Sequence, residues 1–152
     1  MGDIVTQRKR SEMMSGIKGK NTKPELLIRR ALFKKGYRYR LHRKDLPGKP
    51  DLVLPKYKAV IFVNGCFWHA HDCHLFRLPK TRHEFWKNKI SKNVDRDIKV
   101  RQLLKEQGWR VLDIWECAVK GKFRIQDSVL IREVEVWLSS REMYKSIKGF
   151  SE

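Results

Sequence analysis

Two cysteines and three histidines crowd into nine residues of this chain, Cys66-Phe67-Trp68-His69-Ala70-His71-Asp72-Cys73-His74. A third cysteine, Cys117, stands just past an apolar run at residues 109–115. If that run is a strand beside residues 59–63, Cys117 arrives at the same sheet end as Cys66. Three thiolates and one imidazole then complete a tetrahedral set, the donor combination of a closed structural zinc site with Zn–S near 2.3 Å. Zinc would stabilise a loop that has little apolar content of its own, because binding to the folded site adds to the folding free energy. His69, His71 and His74 all lie close enough to be the fourth ligand, and whichever two are not needed stay available for chemistry. The competing reading makes the cysteines small buried hydrophobes. It carries less weight, because two of them flank histidines in a polar loop. Three is also an odd number for a disulfide framework, and metal binding suits a reducing compartment better.

A second chemistry starts at Asp51, which follows the turn Pro47-Gly48-Lys49-Pro50 and leads into the apolar run at residues 52–54. A carboxylate at the start of a buried strand can hold Mg2+ at the edge of a sheet. Phosphodiester hydrolysis needs a metal to polarise the phosphate and activate a water, with an acid or base in reach. Glu25 is the other acidic candidate. An aspartate after a turn is more often solvated or a local cap, so Asp51 needs support from its surroundings.

Phe67, Trp68 and Trp86 are large rings in polar contexts. Each can pack on the cysteine loop. Three together in a strongly basic chain better fit insertion between bases, where unstacking costs a few kcal/mol per step and least at a mismatch.

These residues must be positioned by a small set of elements. Residues 6–21 read as a basic arm with a short helix and apolar positions only at Met13, Met14 and Ile17. Thr22 is placed to cap a helix opened by Lys23-Pro24-Glu25, with Leu26, Leu27, Ile28, Ala31 and Leu32 as its buried stripe and Gly36 as its end. Residues 37–41 alternate like a strand. Residues 52–54 and 59–63 form a hairpin of central strands. Residues 84–90 and 94–107 look like two helices, 109–115 like a further strand and 125–139 like a closing amphipathic helix. This order predicts an α/β domain, a central mixed sheet flanked by helices. Trp109, Trp115 and Trp137 fall in these patterns and are assigned to the core.

The 152 residues fit a single domain, with residues 1–22 as the arm. Lys and Arg number 35 against 17 Asp and Glu, a formal charge of +18, so a polyanion partner and strongly salt-dependent binding are expected. Charge alone does not separate DNA, RNA and anionic membrane. No apolar run approaches the ~20 residues of a membrane span, and the charged N-terminus has no apolar stretch behind it, so no signal peptide and a cytoplasmic location are expected.

Several ordered motifs then carry a resemblance. Pro47-Gly48-Lys49-Pro50-Asp51-Leu52-Val53, Val60-Ile61-Phe62, Gly65-Cys66-Phe67-Trp68-His69, Phe85-Trp86, Lys92-Asn93-Val94, Asp95-Arg96-Asp97, Gly108-Trp109-Arg110-Val111-Leu112 and Trp115-Glu116-Cys117-Ala118 resemble the very-short-patch mismatch endonuclease (Vsr) family. The similarity runs from about residue 11 to 121. It implies a restriction-endonuclease-like fold and an enzyme that nicks double-stranded DNA 5′ to the thymine of a T:G mismatch, the product of 5-methylcytosine deamination. By the same resemblance, Asp51 and the backbone carbonyl of Val63 would bind Mg2+, Glu25 would hold metal-bound water and His69 would be the general base. Cys66, His71, Cys73 and Cys117 would hold Zn2+. Phe67, Trp68 and Trp86 would form the wedge, while Met14, Lys89 and Asn93 would lie near the mismatched pair. The expected enzyme is a nucleoid-associated monomer, with other DNA-repair proteins as admissible partners.

Two departures matter. Val63 and Asn64 stand where the family often has Thr and His; a carbonyl ligand is indifferent to its side chain, but Asn64 lacks an imidazole. The strand at residues 59–63 also has no Glu-x-Lys, which argues against an ordinary restriction enzyme. Two other activities remain open, a nicking nuclease indifferent to mismatch and a zinc DNA-binding protein without catalysis.

Overall fold

A computed structural model describes residues 22–73 and 75–150. Most of the expected arm, including Met14, and also His74 lie outside the described residues. Helix α1, Lys23–Lys34, begins where Thr22 Oγ1 accepts the Glu25 N–H at 3.4 Å, with Pro24 in its first turn. Its C-terminus is closed by paired bonds, Tyr37 N–H to Leu32 O and Gly36 N–H to Phe33 O, both 3.0 Å. Gly36 makes that reversal at φ 95°, a conformation that a Cβ would oppose.

Five strands follow: β1 (Arg40–Leu41), β2 (Leu52–Leu54), β3 (Ala59–Asn64), β4 (Arg110–Trp115) and β5 (Tyr144–Ile147). They lie in sequence order, with β1, β2 and β3 antiparallel and β3, β4 and β5 parallel. Helix α2 (His83–Glu106) belongs to the connection from β3 to β4; α3 (Glu116–Val119) and α4 (Asp127–Ser139) lie between β4 and β5.

Alternation along the strands divides the interior in two. Leu52, Leu54, Ala59, Ile61, Leu112 and Ile114 pack with Ile28 and Leu32 of α1 and Leu130, Val134 and Trp137 of α4. Val53, Val60, Phe62 and Val111 face the opposite way, onto Val100 and Leu104 of α2 and Trp109. Successive side chains of a strand point to opposite faces, so a sheet covered on both sides needs apolar residues at nearly every position. The mixed sheet with flanking helices is therefore observed.

Several expected boundaries shift. The strand at residues 37–41 shrinks to Arg40–Leu41, both exposed, because its partner β2 is only three residues long. The two helices expected around residues 84–107 are one helix of 24 residues, since Ser91-Lys92-Asn93 contains neither Gly nor Pro to interrupt the hydrogen-bond ladder. The final helix begins at Asp127, two residues after the expected start. Strand β5 was not expected. Trp109 and Trp137 are buried, but Trp115 is only half-buried at the sheet end, where its ring meets the cysteine loop instead of the core.

Candidate active site and metal centres

Asp51 is delivered by a turn pinned to α2. Gly48, at φ 73°, lies so close to Val100 that a Cβ would sit 2.5 Å from Val100 Cγ1. The aspartate then projects across the start of the hairpin, and its Oδ2 accepts the Val63 N–H at 2.7 Å. Glu25 reaches the same place from the first turn of α1 and is 2% exposed. Arg29 Nη1 donates to its Oε2 at 3.0 Å. The Nε2 of His42 lies 3.1 and 3.0 Å from the two Glu25 oxygens and 3.9 Å from Asp51 Oδ1. One donor atom from each of Glu25, His42 and Asp51 lies within 4.8 Å of the others.

Burial, with Glu25 beside it, raises the Asp51 pKa to about 7 against the opposing help of the Val63 N–H. Two carboxylates held this close in a partly dry site repel, and a divalent cation is the partner that relieves them. The donor set fits a hard metal ion.

His69 sits in the loop after β3, on the other side of Asn64. Its Nδ1 lies 2.5 Å from Asp97 Oδ2 of α2. Arg101, one turn further along the helix, comes to 3.8 Å from Asp97 Oδ1 and pairs closely with Asp113 of β4. Asp113 also accepts from Asn64 Nδ2 and from the Tyr144 hydroxyl of β5, both at 2.8 Å. Hydrogen bonds and one looser ion pair thus link the far strand of the sheet to the imidazole.

The Cys66, His71, Cys73 and Cys117 donor atoms form a second cluster with all atoms within 4.8 Å of one another. Both Cys66 Sγ and Cys117 Sγ lie 3.5 Å from His71 Nδ1. Tetrahedral zinc with ordinary bond lengths sets sulfur and nitrogen about 3.6 Å apart, so these residues fit the ion. Among the described residues, His71 is the histidine brought to the cluster. Trp115 stacks on it, ring centroids 4.1 Å apart and planes within 10°. Burial pushes the Cys66 and Cys117 thiols up, and each lies among the other sulfurs, while burial holds His71 below the usual imidazole range. A bound cation reverses the first effect and suits the second, since it wants thiolates and a neutral ring. Strands β3 and β4 run parallel, with Asn64 opposite Trp115, so Cys66 and Cys117 leave neighbouring strands at the same end.

A groove of about 1060 Å³ is lined by Asp51, Val63, His69, Asp97 and Arg101 together with Phe67, Trp68, Trp86, Lys89 and Asn93. Phe67, Trp68 and Trp86 pack on one another with centroids 5.0 to 5.7 Å apart. Asn93 Nδ2 donates to the Trp68 carbonyl at 3.1 Å, and Lys89 Nζ is 5.9 Å from the Trp68 ring. Trp86, Lys89, Asn93, Asp97 and Arg101 are spaced by three or four residues, so uninterrupted α2 presents them as one line about 22 Å long.

All of the expected site residues that fall within the described chain are therefore at one of the two clusters or along this groove. Asp97, Arg101, Asp113 and His42 were not singled out as site residues. Asp97 has a visible sequence signal, a carboxylate in the Asp95-Arg96-Asp97 motif; its place on one face with Lys89 and Asn93 follows only from the continuity of α2. His42, in an exposed-looking basic run, carried none.

Comparison with known proteins gives a consistent picture. The family described as DNA mismatch endonuclease Vsr matches residues 2–75. DNA mismatch endonuclease Vsr of Escherichia coli K12 is 43% identical over 138 residues, covering 91% of this chain and 88% of that protein. Type II nicking enzyme V.NmeAIP of Neisseria meningitidis serogroup A is 46% identical over 137 residues, covering 89% and 98%. Type II nicking enzyme V.XorIIP of Xanthomonas oryzae pv. oryzae is 46% identical over 117 residues, covering 77% and 86%.

Proposed function

Because the chain belongs to the DNA mismatch endonuclease Vsr family, we propose that it nicks double-stranded DNA 5′ to the thymine of a T:G mismatch, using Mg2+ and a restriction-endonuclease-like fold stapled by Zn2+. The observation that carries this reading is the opening of Asp51 and His69 onto one groove, beside three aromatic rings.

Asp51 and the Val63 carbonyl are the Mg2+ ligands in this reading. In an extended strand the N–H and C=O of one residue face the same edge, and the Val63 N–H already points at Asp51. Glu25, buried beside Asp51, would help hold the hydrated ion. Bound there, Mg2+ supplies charge to the phosphate and acidity to water. Asp97 holds His69 through Nδ1, which leaves Nε2 to accept the proton from the attacking water. Phe67, Trp68 and Trp86 enter the stack beside the mismatch, where unstacking is least costly. Lys89 and Asn93 lie beneath Trp68 on α2 and reach the mismatched pair, joined by Met14 of the arm.

The test is nicking of otherwise identical duplexes with T:G or C:G at one position, with and without Mg2+. Cleavage confined to the thymine strand of the T:G duplex supports the reading. Equal cleavage of both supports a nicking enzyme indifferent to mismatch. Retarded mobility without cleavage leaves only a DNA-binding protein.

A further inference from the structure

We infer that His42 is a ligand of the divalent cation at Glu25 and Asp51, so that this site has mixed nitrogen and oxygen donors and holds Mn2+ more tightly than Mg2+. The inference rests on the reading of Asp51 as a cation ligand given above and goes beyond it in assigning an imidazole to the same ion.

The first support is geometric. Six-coordinate ions with bonds of about 2.1 Å set neighbouring donors about 3.0 Å apart and opposite donors about 4.2 Å apart. His42 Nε2 stands 3.0 and 3.1 Å from the Glu25 oxygens and 3.9 Å from Asp51 Oδ1, within that span. A single N–H serves one acceptor well; an atom facing three carboxylate oxygens suits a shared ion better.

The second support is the backbone. His42 has φ 48°, a left-handed conformation uncommon for residues other than glycine, and its N–H donates to the Asp51 carbonyl at 3.2 Å. The short strand β1 ends at Leu41, and this local reversal fastens His42 to the very residue that opens β2. Strained backbone at a cluster of ligand-capable groups motivates a functional assignment.

The third is charge and enclosure. Side-chain exposure is 14% for His42, 2% for Glu25 and 24% for Asp51. The ligand set itself, two carboxylates and a neutral imidazole, carries a formal charge of −2; Arg29, paired with Glu25 at 3.0 Å, leaves −1 in its surroundings, so a divalent ion is still attracted. Carboxylate oxygens accept Mg2+ and Mn2+ alike, whereas imidazole favours the transition metal. Asn64 cannot substitute for this nitrogen, since its amide is turned to Asp113.

The experiment is pulsed electron paramagnetic resonance of the full chain, its cysteine cluster filled with Zn2+ and then loaded with one equivalent of Mn2+. Directly bonded 14N modulation is expected in the wild type and in His69→Gln, and absent from His42→Gln. Mn2+ affinity is expected to fall about tenfold in His42→Gln, with a smaller loss for Mg2+. Uniform 15N-histidine labelling of the wild type must convert the modulation to the 15N pattern, which tests the inference even if His42→Gln does not fold. Mn2+ that binds in an Asp51-dependent manner without nitrogen coupling overturns the ligand role and reduces His42 to a positioning residue for Glu25. Absence of any Asp51-dependent Mn2+ binding overturns the cation reading of Asp51 itself.

Discussion

His69 Nδ1 and Asp97 Oδ2 meet at 2.5 Å, joining the cysteine-rich loop to the middle of α2. The carboxylate selects the tautomer with hydrogen on Nδ1 and a basic Nε2, and it stabilises the ring once protonated. Asp97→Asn is expected to lower single-turnover nicking by about 10- to 1000-fold while leaving duplex affinity within about threefold, the pattern of an orienting carboxylate. Wild-type rates in Asp97→Asn would remove the residue from the reaction.

Asp51 carries a linked dependence on pH. Its folded pKa, near 7, lies above the ordinary carboxylate value, so between about pH 4 and pH 7 the unfolded chain has released this proton while the folded chain keeps it. Stability from this group therefore falls as pH rises through that window. Asp51→Asn should raise the melting temperature of the metal-free protein at pH 8 by several degrees and by much less at pH 5. Cleavage should be lost at both. The stabilisation that Mg2+ gives the wild type should grow from pH 6 to pH 8, as the proton stops competing, and calorimetry at the two values checks it.

The cysteine cluster should hold about one zinc per chain. Cys117→Ser is expected to lose the metal and several kcal/mol of stability, since metal binding to the folded site adds to the folding free energy. Gly149 offers a gentler probe. A Cβ there would stand 2.5 Å from the Cys117 carbonyl and 2.6 Å from that of Phe123, while its N–H donates to Cys117 Sγ at 3.4 Å. Gly149→Ala should weaken zinc retention against a chelator at least tenfold with the four ligands intact. Unchanged retention would show that the C-terminal segment does not support the cluster.

Trp68→Ala should lower the ratio of T:G to C:G nicking about tenfold or more, with a smaller loss of total duplex affinity. Base insertion acts on discrimination, whereas most of the affinity of so basic a protein comes from phosphate contacts. Parallel nicking and fluorescence-anisotropy titrations on the two duplexes separate these effects.

Much of this arrangement is legible in residue order because local chemistry and tertiary demand agree. The Thr22 cap, the hairpin strands and the paired cysteines each announce themselves within a few residues of sequence. Elsewhere the determinants are remote. Strand β5 is four residues, two of them exposed, and exists because β4 offers it an edge. Polar Ser91-Lys92-Asn93 reads as a break only when helical continuity is judged by apolar spacing. His42 becomes conspicuous only once its own left-handed backbone brings it to Glu25, 17 positions earlier in the chain. Asp113, inside an otherwise apolar strand, is tolerated because Arg101, Asn64 and Tyr144 converge on it from three different elements.

Asn64 shares its buried carboxylate with an arginine and a tyrosine, so it is not exchangeable on its own. Replacing it by a side chain without a donor would remove one of the three groups that converge on Asp113 and disturb the guanidinium that sits 4.0 Å over the Phe62 ring.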